Sequence, residues 1–185
     1  TVDANSAYTL KDIDLFKEMD QYQLQYIEQP LGEEDIVDHA VLQKEIETPV
    51  CLDESVVSYE AAEAAIRLGS CKVINIKSSR CGGVYEGKRI HDLCVAHGIP
   101  VWCGGMTELG IGRAQNVSFA SLPGFTELAH DVAAANRYFD KDITSPMVDI
   151  TDRCTIIVPD EDNGIRYEVD EKQIDKMEAG HWIFK

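Results

Sequence analysis

The sequence predicts an α/β fold: a (β/α)8 TIM-type barrel, of which the chain carries the C-terminal part, about six of eight strands. Three observations predict it. Short β-branched or apolar runs recur about every 25 residues, at 26–28, 50–53, 73–77 and 100–103. Helical patterns fill the intervals, and strands that alternate with helices build a parallel sheet. No glycine-rich phosphate turn follows a strand, which separates the pattern from doubly wound dinucleotide folds.

Each element has a local reason. Val2-Asp3 reads as the end of a strand. Leu10, Ile13 and Phe16 keep helical spacing after Thr9, and Asp12, three residues on, completes an N-terminal capping box. Gly32-Glu33-Glu34-Asp35 reads as a solvated helix start. Ser58 caps an alanine-rich helix through Leu68 that stops at Gly69. Ile90, Leu93, Cys94 and His97 share one face of a helix that stops at Gly98. Phe125-Thr126-Glu127-Leu128 reads as a last strand. The period then fails: two short strands at 154–158 and 164–169 flank a polar turn at 160–163, before a charged tail. The expected division is therefore 1–146, barrel, and 147–185, an appendage packing on the barrel or on a capping domain. Such barrels need about 250 residues, and the chain opens without Met. The first strands and an N-terminal capping domain are expected outside it.

Polar residues gather where the strands end. Asp3, Glu28 and Asp53 are 25 and 25 residues apart and Lys77 follows 24 later, so each holds the same place in successive β/α units. Side chains alternate along a strand: with Glu28, Asn75 and Lys77 pointing inward, Ile27, Ile74 and Ile76 point at the helices. Three convergent carboxylates raise one another's pKa unless a counter-charge intervenes. Oxygen-only ligands select Mg²⁺ or Mn²⁺ over zinc and leave room for water and a substrate carboxylate. Beside such an ion the Lys77 ammonium is disfavoured, towards the range useful for proton transfer. A metal next to a tuned lysine points to enolate chemistry at the carbon adjacent to a carboxylate.

With 33 acidic against 17 basic side chains and a net charge of −16, the chain suits neither nucleic acid nor an anionic membrane. No run of eighteen apolar residues exists, so no transmembrane span is expected. The six cysteines are dispersed, without a C-x-x-C pair, and read as reduced thiols in a cytoplasmic protein. Cys51, Cys71 and Cys103 lie in or beside apolar runs and read as core residues. His39, His91 and His97 fall on helical stretches with packing or solvent-facing roles; His130, past the last strand, lies at the functional rim. Gly104-Gly105-Met106-Thr107-Glu108 is either a loop or a place where backbone N–H groups meet an anionic substrate.

At Val2-Asp3-Ala4-Asn5, Ile27-Glu28-Gln29-Pro30, Leu52-Asp53-Glu54-Ser55, Asn75-Ile76-Lys77 and residues 102–108 the sequence resembles the enolase superfamily, muconate-lactonizing subgroup. Residues 3–10 and 97–106 are most similar to the o-succinylbenzoate synthase / N-acylamino acid racemase family. The resemblance implies Asp3, Glu28 and Asp53 as Mg²⁺ ligands, Lys77 as the catalytic lysine of the sixth strand, and Asn5, Gly105, Met106 and Thr107 as contacts to a small carboxylate substrate. It implies two reactions: the dehydration of menaquinone biosynthesis, towards which the reading leans, or racemisation by two lysines acting from opposite faces. The family's partner lysine, in a K-x-K motif, is absent here, so these residues alone carry half of the acid/base pair. Lys77-Ser78-Ser79-Arg80 lacks the family's Pro-Gly, and Leu128-Ala129-His130-Asp131-Val132 departs from its common form. Two other classes compete: a metal-free glycosidase using two of the carboxylates, and a non-catalytic barrel fragment. Oligomeric state, homo-oligomer included, stays open.

Overall fold

A computed structural model describes residues 1–125, 127–159 and 167–180. The chain forms two compact units, one of residues 1–104 and 122–130, the other of residues 105–121 and 131–185.

The first unit is a five-stranded parallel sheet in the order β1 (Val2–Asp3), β2 (Ile27–Glu28), β3 (Val50–Leu52), β4 (Val73–Ile76) and β5 (Val101–Cys103). Strand order equals chain order, as the 25-residue period predicts. Helices α1 (Ile13–Met19), α2 (Ile36–Glu45), α3 (Tyr59–Leu68) and α4 (Val84–Ala96) connect the strands, and each packs on the next. Their ends follow the sequence signals. Thr9 and Asp12 form the capping box, at a 3₁₀ turn that leads into α1. Asp35 and Ser58 accept the first free N–H groups of α2 and α3. Helix α3 ends at Gly69, whose φ of 70° admits the left-handed turn in which the Ser70 N–H reaches the Ala65 carbonyl at 2.9 Å.

Register decides which residues share a face. Glu28 pairs with Cys51, Cys51 with Val73, and Asn75 with Trp102. Tyr26, Cys51, Val73 and Trp102 form one buried cluster, with Leu128 packed against it. Tyr26 and Trp102 stack at 6.0 Å, and the indole N–H of Trp102 points at the Cys51 sulfur at 3.4 Å. Two residues further along β2 and β4 lie Glu28 and Asn75, so a polar layer sits directly on an apolar one. The alternate residues Ile27, Val50, Leu52, Ile74, Ile76 and Val101 are fully or almost fully buried and, by parity, face the helices. Each such side chain contributes on the order of 1.5–3 kcal/mol by leaving water.

Among the described residues, no sixth ladder strand forms at 125–128. Phe125 is in a turn, its N–H bonded to the Leu122 carbonyl at 3.3 Å, and Glu127 and Leu128 lie in a bend; Thr126 lies outside the described residues. The cause is local. The outward N–H of Cys103 on β5 donates to His130 Nδ1 at 3.1 Å, so a side chain occupies the place a strand carbonyl would take. The Phe125 ring packs against His91 and His130 instead.

Among the described residues of the second unit, α5 (Gly110–Ala120), β6 (Thr144–Ser145), β7 (Glu168–Val169) and α6 (Glu171–Met177) are the regular elements, with a 3₁₀ turn at Ala135–Arg137. Helix α5 has no counterpart among the sequence expectations. The strand expected at 154–158 does not form. Cys154 has a φ of 56°, and the Thr151 N–H bonds to the Thr155 carbonyl at 2.8 Å, closing a tight turn that bends the chain away from a ladder. Of the strand expected at 164–169, Glu168 and Val169 pair antiparallel with β6, while residues 164–166 and the turn at 160–163 lie outside the described residues. Ala114, Val117 and Val148 form this unit's core, joined by Val132, Ile156 and Tyr167. Among the described residues no helix is long and apolar enough to cross a membrane.

Candidate active site at the strand ends

Asp3 and Glu28 end β1 and β2, and Asp53, Lys77 and Gly104 directly follow β3, β4 and β5. The structure therefore brings the four charged residues singled out by spacing to one edge of one sheet. Lys77 Nζ lies 2.7 Å from Asp53 Oδ2, and the Arg80 guanidinium holds the other Asp53 oxygen. Asn75 Nδ2 donates to Glu28 Oε1 at 2.9 Å. Asp3 is exposed and accepts the Asn5 N–H at 3.0 Å, in a turn where Asn5 and Ser6 both have left-handed φ.

Glu28 is 7% exposed, and its pKa is pushed up to about 7. Burial is the main cause; the Asn75 hydrogen bond acts downward, Asp53 and Asp3 push upward, and Lys77 pulls down. Beside a neutral amide in a dry site, the protonated form of the carboxyl is favoured. Among the described residues, however, no three His, Cys, Asp or Glu side chains are grouped to hold a metal ion. The reason is visible in the contacts. Both Asp53 oxygens are turned into Lys77 and Arg80, and one Glu28 oxygen is turned into Asn75. The donor set still fits a hard divalent cation in kind: three carboxylates, without sulfur or imidazole.

Two residues that the spacing argument passed over shape this edge. Gln29, fully buried with a φ of 36°, accepts the backbone N–H groups of Asp53 and Ser55 at 2.9 and 3.2 Å and donates to the Ser55 hydroxyl at 2.8 Å. It thereby fixes the turn that carries Asp53. Gly104 is a glycine because a Cβ there would stand 2.3 Å from Asn75 Oδ1 and 2.7 Å from Lys77 Cε. The signal for Gln29 was its place beside Glu28; for Gly104 it was the glycine pair.

The second unit holds Gly105, Met106 and Thr107. They line a cavity of about 230 Å³ with Asp131, Ala133 and Tyr138. Glu108 shapes this loop: its Oε1 accepts the Met106 N–H at 2.7 Å and the Asn116 amide at 3.0 Å, while Arg113 holds its carbonyl. Arg113 is buried against Asp142, whose Oδ1 accepts the Gly110 N–H at 2.8 Å and so caps α5.

With this geometry in place, residues 1–173 match the family of enolase C-terminal domain-like proteins. The chain belongs to that family. Within it, the chain is 52% identical over 174 residues to an o-succinylbenzoate synthase of Geobacillus stearothermophilus, covering 94% of this chain and 46% of the relative. It is 56% identical over 147 residues to an N-succinylamino acid racemase of Amycolatopsis sp., covering 80% and 40%. The chain thus spans less than half the length of these curated relatives. The crystal structure of an enolase superfamily member from Listeria innocua superposes with a TM-score of 0.88 at 44% identity, covering 94% of this chain and 46% of that one. A dipeptide epimerase from Enterococcus faecalis, solved with Mg and the dipeptide L-Leu-L-Tyr, superposes at 0.71 with 28% identity, covering 79% and 41%.

Other chemistry-bearing residues of this enolase-type chain are structural. Cys51, Cys71, Cys81, Cys94 and Cys103 are buried, and burial pushes the Cys81 thiol up to about 11 and those of Cys71 and Cys94 to about 12. His39 is fully buried and accepts the Leu31 N–H on Nε2 at 3.1 Å; burial lowers its pKa. His130 supports β5 through Cys103, as described above.

Proposed function

We propose that the protein is a Mg²⁺-dependent enolase-family enzyme that removes a proton from the carbon adjacent to a substrate carboxylate, its strands forming part of a (β/α)8 barrel. Asp3, Glu28 and Asp53 are the residues that would hold the ion, with Mn²⁺ as a substitute. The ion, when bound, supplies positive charge to the substrate carboxylate, so that the negative charge left by proton loss is stabilised. The single observation that carries the reading is the Lys77 ammonium at 2.7 Å from Asp53, in the same polar layer as the counter-charge-poor Glu28.

Lys77 has two uses on this reading. As an ammonium it stands beside the forming enolate, compensates its charge and donates a hydrogen bond to it. As an amine, with Asp53 engaged as one of the residues that would hold the ion, Lys77 would accept or return the proton at that carbon from one face of the substrate. Asp53 holds the Lys77 Nζ, and Arg80 in turn holds the other Asp53 oxygen. The cluster of Tyr26, Cys51, Val73 and Trp102 keeps water away from the floor of the site. Asn5 and the backbone of Gly105, Met106 and Thr107, which follow Gly104 in the chain, are the proposed substrate contacts.

The first use suits the dehydration that forms o-succinylbenzoate in menaquinone biosynthesis, in the cytoplasm, and this is the activity we propose. The second suits racemisation of an N-acylamino acid, favoured by the 56% identity to a protein of that name. Spectrophotometric assay of o-succinylbenzoate formation, in parallel with polarimetry on an N-succinylamino acid and each with and without Mg²⁺, tests both. Formation of o-succinylbenzoate that stops on chelation supports the proposal, and turnover that survives chelation refutes it.

A further inference from the structure

The fully buried amide of Asn75 has one half of its hydrogen bonding unused. Its Nδ2 donates to Glu28 Oε1 at 2.9 Å, while its Oδ1 is a buried atom without a partner among the described residues. With Glu28 ionised, the form in which it would hold a cation, the amide must present Nδ2 to it, because a carboxylate only accepts and turning the amide over would set oxygen against oxygen. An amide oxygen buried without a donor is costly, so its retention at this position asks for a donor that the protein itself does not supply. Gly104 keeps the amide in place: any side chain there would collide with both of its polar atoms. Asn75 also sits in β4, pinned by ladder pairing with Trp102, and so belongs to the rigid sheet.

We propose that Asn75 is a positioning residue of the cation site, fixing the Glu28 carboxylate through Nδ2 and offering Oδ1 to a water held by the bound ion. The inference rests on the cation reading above and extends it to a residue that is not itself one of the ligands. Partners that orient metal ligands typically govern affinity by about 10–100-fold, and an effect of that size is expected here.

The test is isothermal titration of the intact protein with Mg²⁺ alone, without substrate. Asn75→Ala should weaken Mg²⁺ binding about 10–100-fold with one-to-one stoichiometry kept. Ile74→Val, on the opposite face of the same strand, should lower the melting temperature and leave Mg²⁺ affinity unchanged, a separation that a merely structural Asn75 would not give. Should Asn75→Ala fail to fold, Gly104→Ala, which displaces the amide without deleting it, should weaken binding in the same direction. Affinity within twofold of wild type in a folded Asn75→Ala or Gly104→Ala protein overturns the proposal. If wild type binds Mg²⁺ and Asp53→Asn abolishes binding while Asn75→Ala does not change it, only this inference falls. If wild type takes up no Mg²⁺, the cation reading falls and this proposal with it.

Discussion

Glu28→Gln is the perturbation whose consequence follows most directly from the structure. The Glu28 pKa rises from an ordinary 4.5 to about 7 because the group is buried beside two other acids. Between those values the folded protein binds a proton that the unfolded chain has released, so stability falls as pH rises through that window. It is fully present below about 4.5 and fully lost above about 7. At about 1.4 kcal/mol per pH unit the loss has a ceiling of about 3 kcal/mol. Glu28 is 7% exposed, so solvent screening removes little of this, although relaxation of Asp3 and Lys77 takes a share. Glutamine keeps the shape and still accepts the Asn75 hydrogen bond, but has no proton to lose. Urea unfolding with a chelator present, at pH 4.5, 6, 7 and 8, should show the variant near wild type at the lowest pH. At pH 8 it should be more stable by up to about 3 kcal/mol. Adding Mg²⁺ should then stabilise wild type and not the variant. A constant difference between the two proteins across the range would show that Glu28 does not titrate as argued.

Three further outcomes are expected. Asp53→Asn and Lys77→Ala should each reduce turnover of the intact enzyme by three orders of magnitude or about that while the fold persists by circular dichroism; rates within tenfold of wild type would remove either residue from the mechanism. Glu108→Ala should raise KM about tenfold with kcat little changed, because it frees the Met106 backbone and leaves Lys77 untouched; a fall in kcat with KM constant contradicts the positioning argument. A thiol reagent at pH 8 should label Cys154 rapidly in native protein and the five buried cysteines only on unfolding, so rapid loss of more than one thiol speaks against their burial.

What the sequence made legible was whatever repeats. Asp3, Glu28, Asp53 and Lys77 could be aligned because parallel β/α units return the chain to equivalent positions every 25 residues or so, and the caps at Thr9, Asp35 and Ser58 follow from short-range chemistry. Phe125-Thr126-Glu127-Leu128 has strand composition, but whether a run of four becomes a strand depends on whether its neighbour's edge is free. Here His130 takes the Cys103 N–H, and no local pattern reports that. Helix α5 escaped for the opposite reason: two of its buried side chains, Arg113 and Asn116, are polar and blur the apolar periodicity that marks a helix. Glu108 and Gln29 were invisible as site residues because each acts on a backbone amide distant in sequence or just ahead of it, a role that any polar residue can fill on paper.

The same register also explains why the acids need company. Tyr26 and Glu28 are two residues apart, as are Cys51 and Asp53, and Val73 and Asn75, so the apolar cluster is the floor on which the polar layer stands. The dry floor raises the cost of every unpaired charge above it. Asp53 meets that cost with Lys77 and Arg80, whereas Glu28 has a neutral amide and holds on to a proton. Catalysis on the proposed mechanism requires the reverse: Lys77 freed from Asp53 and Glu28 ionised. Asp53 and Glu28 are among the residues that would hold a divalent ion, whose positive charge would stand in for the lysine at the one and for the proton at the other. Cation uptake should therefore release about one proton near pH 6 and about half a proton near pH 7, measurable as a buffer-dependent enthalpy of Mg²⁺ binding. Identical enthalpies in buffers of different ionisation heat would break the link between the dry floor and the chemistry proposed above it.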